Sequence, residues 1–229
     1  MAEANLRFPD RPLELYLVRH GQTDYNLRRI VQGGGVDSSL NNTGRQQADA
    51  LFNALQDVPF QQVYTSALKR TQETLAPFAS QGHNLQARSA LNELNWGEAE
   101  GQKASPELRQ QFYDVISAWQ QGDVDRSFPR GESAQEGWNR SAAFFQELAD
   151  AAPEGPVLVC AHGRILRIML SQLFGYGLSR MEVFRHQNTG INHLVLHHPR
   201  IWARRLNDTR HLATLDFHTP SVAPSLTGR

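Results

Sequence analysis

Apolar residues in this chain come in two rhythms that alternate along its length. The unbroken run Leu15-Tyr16-Leu17-Val18 reads as a short buried strand and ends on Arg19-His20-Gly21. A Gly-rich loop centred on Gly33-Gly34-Gly35 follows. Ala48, Leu51, Phe52 and Leu55 then recur at helical spacing behind Thr43-Gly44-Arg45-Gln46, which has the Thr-x-x-Gln form of a capping box. Gln62-Val63-Tyr64-Thr65 predicts a second strand, with Ser66 as the N-cap of a helix that carries Arg70 in its first turn. Leu85 to Arg88 predicts a third.

Beyond Glu93 the rhythm weakens, and Trp96, Gly97 and Gly101 predict a loop. Ser105-Pro106, an N-cap with proline at the first helical position, opens a helix through about Trp119. Ser133-Ala134-Gln135-Glu136 is a second capping box, opening a helix to about Ala151. Pro156 to Ala161 reads as a buried strand that stops at His162-Gly163, followed by a helix from Ile165 to Leu173. Ile191 to Leu196 and Ile201 to Leu206 are expected as edge strands. Strands alternating with helices imply an α/β protein with helices on both faces of one sheet. One domain over residues 1–212 is expected, with 213–229 as a mobile C-terminal tail.

Composition narrows the function. The chain has 229 residues with 23 Lys plus Arg against 23 Asp plus Glu, so no net field draws it to nucleic acid or anionic lipid. Any anion must be bound locally. A single cysteine, Cys160, excludes an internal disulfide and fits a reducing compartment. With no apolar leader and no run long enough to cross a bilayer, a cytoplasmic protein is expected.

Two strands end alike, in Val18-Arg19-His20-Gly21 and in Cys160-Ala161-His162-Gly163, which places two histidines at one edge of one sheet, where open α/β sheets bind ligands. Arg70 and Glu93 join them. The order Arg-His-Gly-x-Thr-x-x-Asn, Thr-Ser-x-x-x-Arg, Glu-x-x-x-Gly and Ala-His-Gly resembles the histidine phosphatase superfamily, the phosphoglycerate-mutase-like proteins, over about Leu15 to Leu212. The resemblance implies a three-layer α/β/α sandwich with a mostly parallel central sheet. It implies a phosphohistidine enzyme that needs no cofactor and no metal, acting on a small phosphorylated substrate, with specificity in a cap segment at about 94–132.

By the same resemblance His20 is the nucleophile, and neighbouring Arg19 and Arg70 keep its ring neutral while forking onto phosphate oxygens. His162 donates to a phosphoryl oxygen, and Gly163 opens a helix whose first amides favour an anion. Glu93 is the general acid, its protonated form favoured by a bound phosphate. Thr23 and Asn26 match polar positions of the first motif, and Gln32 a pocket-lining residue. Gly33-Gly34-Gly35 departs from the family pattern, so a more mobile loop is expected there.

Rival chemistries fit less well. A cysteine phosphatase resembles Cys-x5-Arg, but Leu166 stands where the arginine would be, so Cys160 is read as packing. There is no P-loop and no third glycine for a dinucleotide fold. His193, His197 and His198 are read as structural rather than metal-binding. The turn Pro129-Arg130-Gly131-Glu132-Ser133 and the short interval between Glu93 and His162 resemble the phosphatase branch rather than a mutase. A histidine acid phosphatase-type phosphomonoesterase is the expectation; a cofactor-dependent phosphoglycerate mutase and a silent phospho-ligand binder are the alternatives.

Overall fold

A computed structural model describes residues 11–197, 200–213 and 215. Most of the expected tail and His198 lie outside the described residues. Six strands form one sheet, β1 Leu13–Arg19, β2 Gln62–Thr65, β3 Leu85–Ala87, β4 Val157–Ala161, β5 Ile191–His197 and β6 Arg200–Asp208. Their order is β3-β2-β4-β1-β5-β6. The pairs β3/β2, β2/β4 and β4/β1 are parallel, and β1/β5 and β5/β6 antiparallel. The sheet is therefore mixed and mostly parallel. Only β6 is an edge on that side; β5, expected at an edge, is sandwiched between β1 and β6.

The pleat sends alternate residues to two separate cores. Tyr16, Val18, Leu158 and Cys160 face the layer of α2 Asn42–Leu55 and α3 Lys69–Ser80, packing with Leu51, Leu75 and Phe78. Leu15, Leu17, Val157 and Val159 face α4 Pro106–Gln120, α5 Ala134–Ala151 and α6 Gly163–Leu173. Phe112 and Trp119 of α4 belong to this second core, with Trp96 and Phe128 against them. Burying each such aromatic is worth roughly 2–3 kcal/mol, so the segment after Glu93 is fastened to the body of the protein.

The caps divide into met and unmet expectations. Ser105 caps α4 by accepting from the Leu108 amide, and Ser133 and Glu136 form the predicted capping box on α5. The box at Thr43 and Gln46 does not form. Asn41 caps α2 instead, its side chain accepting from the Gly44 amide at 2.9 Å, two residues too early for Thr43 to serve. Ser66 is not the N-cap of α3 either; Leu68 holds that position with no side-chain bond. A short helix, α1 Asp24–Arg28, was not expected, and its capping box is made by Thr23 and Asn26.

Candidate active site

Parallel pairing of β1 with β4 sets Val18 opposite Cys160 and Arg19 opposite Ala161. The residue after each is a histidine, and the His20 amide extends the ladder by donating to the Ala161 carbonyl at 3.0 Å. His20 and His162 consequently stand side by side, ring centroids 5.1 Å apart and planes inclined by 57°. Both are buried. Gly21 turns the chain away beneath them, where an added Cβ would lie 2.6 Å from the Gly44 carbonyl, so no side chain fits.

His20 Nδ1 lies 2.7 Å from the Gly21 carbonyl oxygen. A carbonyl only accepts, so Nδ1 carries the proton and Nε2 the lone pair. Burial, then Arg70, then Arg19 hold this ring well below its ordinary pKa of 6.5. It is neutral at physiological pH. Asn188 Nδ2 donates to the His20 carbonyl at 2.8 Å, and Thr74 Oγ1 accepts from the Gly21 amide at 2.9 Å.

The two guanidiniums have no carboxylate within ion-pair reach among the described residues. Arg19 donates through Nη1 to the His186 carbonyl at 2.9 Å, and its buried Nε has no partner. Arg70 donates to His162 Nδ1 at 3.0 Å and to the carbonyls of Val36 at 2.6 Å and Gly33 at 3.1 Å. Of its five N–H groups, two remain for a ligand. Burial pushes Arg70 down to about 10, so it stays cationic at neutral pH. Two guanidiniums with no carboxylate in direct contact, beside two neutral imidazoles, make a site for an anion.

Glu93 is tied to the same site through α6. Its Oε1 accepts from the Leu94 and Ile165 amides at 2.9 and 3.0 Å, and Oε2 from the Arg164 amide at 3.0 Å. The group held by these first amides of α6 is therefore the Glu93 carboxyl. Gly163 starts the helix against Arg19, where even a Cβ would make only an ordinary contact, 3.4 Å from Arg19 Nε. Arg140 fixes the neighbouring backbone, donating to the Ala90 and Glu93 carbonyls at 2.8 and 3.2 Å and forking onto Glu132 of the Pro129–Ser133 turn.

Thr23, Asn26 and Gln32 form a supporting group next to these residues. Thr23 Oγ1 donates to Gln32 Oε1 at 3.0 Å, while Asn26 Oδ1 accepts from the Thr23 amide and from Asn188. The glycine loop is packed closely: a Cβ on Gly34 would lie 2.8 Å from the Glu93 carbonyl, and one on Gly33 would collide with the Glu100 carboxylate and the Leu94 carbonyl. These glycines are there for close approach. The carbonyl of Gly33 is also one of the groups that hold Arg70.

Other candidates sit elsewhere. Cys160 is buried in the core beneath the site, its thiol pushed up by burial. His193 stacks on Tyr16 with ring centroids 4.0 Å apart, and His197 stacks on Trp202. No group of three or more His, Cys, Asp or Glu among the described residues is placed to hold a metal ion. No helix among them is long and apolar enough to cross a membrane. Ser66, Thr74, Arg140 and Asn188 were not foreseen. Ser66 stood in plain view in the Thr-Ser-x-x-x-Arg motif, whereas Asn188 lies in a loop with no sequence signal.

Known proteins bear on this arrangement. Residues 15–209 match the model of the histidine phosphatase superfamily, branch 1. A protein of Hydrogenobacter thermophilus named "Putative phosphoserine phosphatase 2" is 30% identical over 181 residues, 79% of this chain and 88% of that one. "Probable phosphoglycerate mutase GpmB" of Escherichia coli O1:K1 is 30% identical over 181 residues, 79% of this chain and 83% of that one. The solved α-ribazole phosphatase of Shigella flexneri superposes with a TM-score of 0.73 at 26% identity, covering 85% of this chain and 96% of that one. A match over nearly the whole described chain, together with paired histidines and paired arginines at one sheet edge, means that this protein belongs to the histidine phosphatase superfamily.

Proposed function

We propose that the protein is a phosphomonoester hydrolase that works without a metal ion through a phosphohistidine on His20 and acts on a small phosphorylated metabolite. The observation that carries this reading is the His20 ring, neutral, with its Nδ1 proton on the Gly21 carbonyl and its Nε2 lone pair left to attack. Arg19 and the two uncommitted N–H groups of Arg70 grip the equatorial phosphoryl oxygens and offset the charge that develops on them. His162 holds Arg70 in place through Nδ1.

In the first step a bond forms from Nε2 to phosphorus as the bond from phosphorus to the ester oxygen breaks. Glu93 supplies the proton that the departing alkoxide needs, and Oε2 is its less committed oxygen, with one amide against two on Oε1. Water then attacks the phosphohistidine, returns a proton to Glu93 and releases inorganic phosphate. Hydrolysis of p-nitrophenyl phosphate in the presence of EDTA tests the reading. Turnover should persist in the chelator and vanish in His20→Ala; strict dependence on a divalent ion would contradict it.

The likeness to a protein named as a phosphoglycerate mutase supports a second reading, in which the phosphoryl group returns to the intermediate instead of passing to water. The resemblance of the turn Pro129-Arg130-Gly131-Glu132-Ser133 to the phosphatase branch supports the hydrolase instead; Arg140 and a 2.7 Å bond from the Glu132 amide to the Asn95 carbonyl hold that turn. Following 3-phosphoglycerate with and without 2,3-bisphosphoglycerate decides between them. Phosphate release is expected, and brisk isomerisation without it would establish the mutase.

A further inference from the structure

The bonds that hold Arg70 continue past His162, and their direction is fixed at both ends. A guanidinium N–H can only donate, so His162 Nδ1, 3.0 Å from Arg70 Nε, is an acceptor. Burial, followed by the charge of Arg70, holds this ring well below its ordinary pKa, so it is neutral and its one proton sits on Nε2. Nε2 lies 2.8 Å from Ser66 Oγ. Ser66 Oγ also accepts from the Leu68 amide at 3.1 Å. With both lone pairs filled the hydroxyl must donate, and Thr71 Oγ1 is 2.8 Å away. Thr71 passes its own proton to the Leu68 carbonyl at 2.8 Å. Ser66, Thr71 and His162 are all fully buried, and the Ser66 carbonyl is a second, longer acceptor for the Thr71 hydroxyl at 3.3 Å.

We propose that Ser66 and Thr71 are positioning residues of the site: anchored on the Leu68 backbone, they hold the His162 ring so that its Nδ1 keeps Arg70 aimed at the phosphoryl group. What Arg70 grips rests on the hydrolase reading above. The arrangement commits the Nε2 proton of His162 to Ser66 in the free protein, so His162 acts there through Arg70. Alanine at 66 leaves both that proton and the Leu68 amide without an acceptor. Valine at 71 keeps the shape of threonine but strands the Ser66 proton.

Nitrogen-resolved histidine spectra of the full-length protein at neutral pH, with a titration of inorganic phosphate, test the proposal. His162 should be an Nε2–H tautomer in the wild type. Ser66→Ala and Thr71→Val should weaken phosphate binding about tenfold, which corresponds to about 1.4 kcal/mol, and lower kcat/KM for p-nitrophenyl phosphate to match. Thr71→Ser should restore both to within about twofold, since the hydroxyl is what the relay uses. The proposal is overturned by a His162 protonated on Nδ1 or on both nitrogens, by unchanged phosphate affinity in folded Thr71→Val, or by Thr71→Ser failing as Thr71→Val does. A wild type that binds phosphate but hydrolyses no ester would sink the hydrolase reading alone, because tautomer and phosphate affinity still decide the relay.

Discussion

A buried arginine without a carboxylate partner is costly to keep, and Arg70 is held without one, by two loop carbonyls and an imidazole. That cost is the reason to read it as a ligand site, because a phosphate dianion supplies the missing charge. Glu93 makes the corresponding claim at the other end of the reaction. Its role as acid is tested by Glu93→Gln, which keeps the shape and removes the proton. Turnover of alkyl phosphates should fall by at least about 100-fold, while that of aryl phosphates, whose leaving groups need no proton, should fall by less than about tenfold. Equal losses on the two classes would take Glu93 out of the acid role.

At the scale of elements, the beginnings and ends of helices show where sequence reading works. Ser133 and Glu136 were legible because the whole device lies in four consecutive residues, and so was Ser105-Pro106. The start of α2 was misread because Asn41 and Thr43 offer two caps in overlapping frames. What chooses Asn41 is tertiary: Gln22 accepts from the Asn41 side chain at 3.0 Å and from its amide, fixing where the helix begins. Asn41→Ala should therefore cost about 1 kcal/mol, while Thr43→Ala should stay within roughly 0.5 kcal/mol, both read from urea midpoints. The reverse order would restore Thr43 as the cap.

The candidate site divides in the same way. His20, His162, Arg19 and Arg70 were legible because each ends a strand or opens a helix beside a recognisable motif. Asn188, Arg140 and Thr74 were not, since they reach the site across loops and layers from positions with no local pattern. The inner position of β5 was missed for a related reason: nothing within Ile191–His197 marks it as interior, and only the pairing with both β1 and β6 places it inside.

Across the whole molecule the same burial that keeps the imidazoles neutral links stability to pH. His20 and His162 are held well below their ordinary pKa of 6.5, and burial takes His186 down to about 3. Unfolding frees these rings to bind protons, so the unfolded state binds more of them below pH 6.5 and stability must fall as the pH drops from there. Each ring contributes up to roughly 1.4 kcal/mol per pH unit. Urea midpoints should hold down to about pH 6.5 and decline from there to about pH 5, and His186→Gln should flatten the slope by about one proton. A flat profile would mean that these rings are not buried neutral.

The central claim is that a parallel strand pair brings His20 into position to carry a phosphoryl group, and one measurement meets it head on. Rapid quenching of the protein with a labelled phosphomonoester, followed by mapping of the label, should give a phosphoprotein that is stable in base, labile in acid and absent from His20→Ala, with the label on His20. Label on Cys160 or on a serine, or steady turnover with no covalent intermediate and an active His20→Ala, would contradict the account.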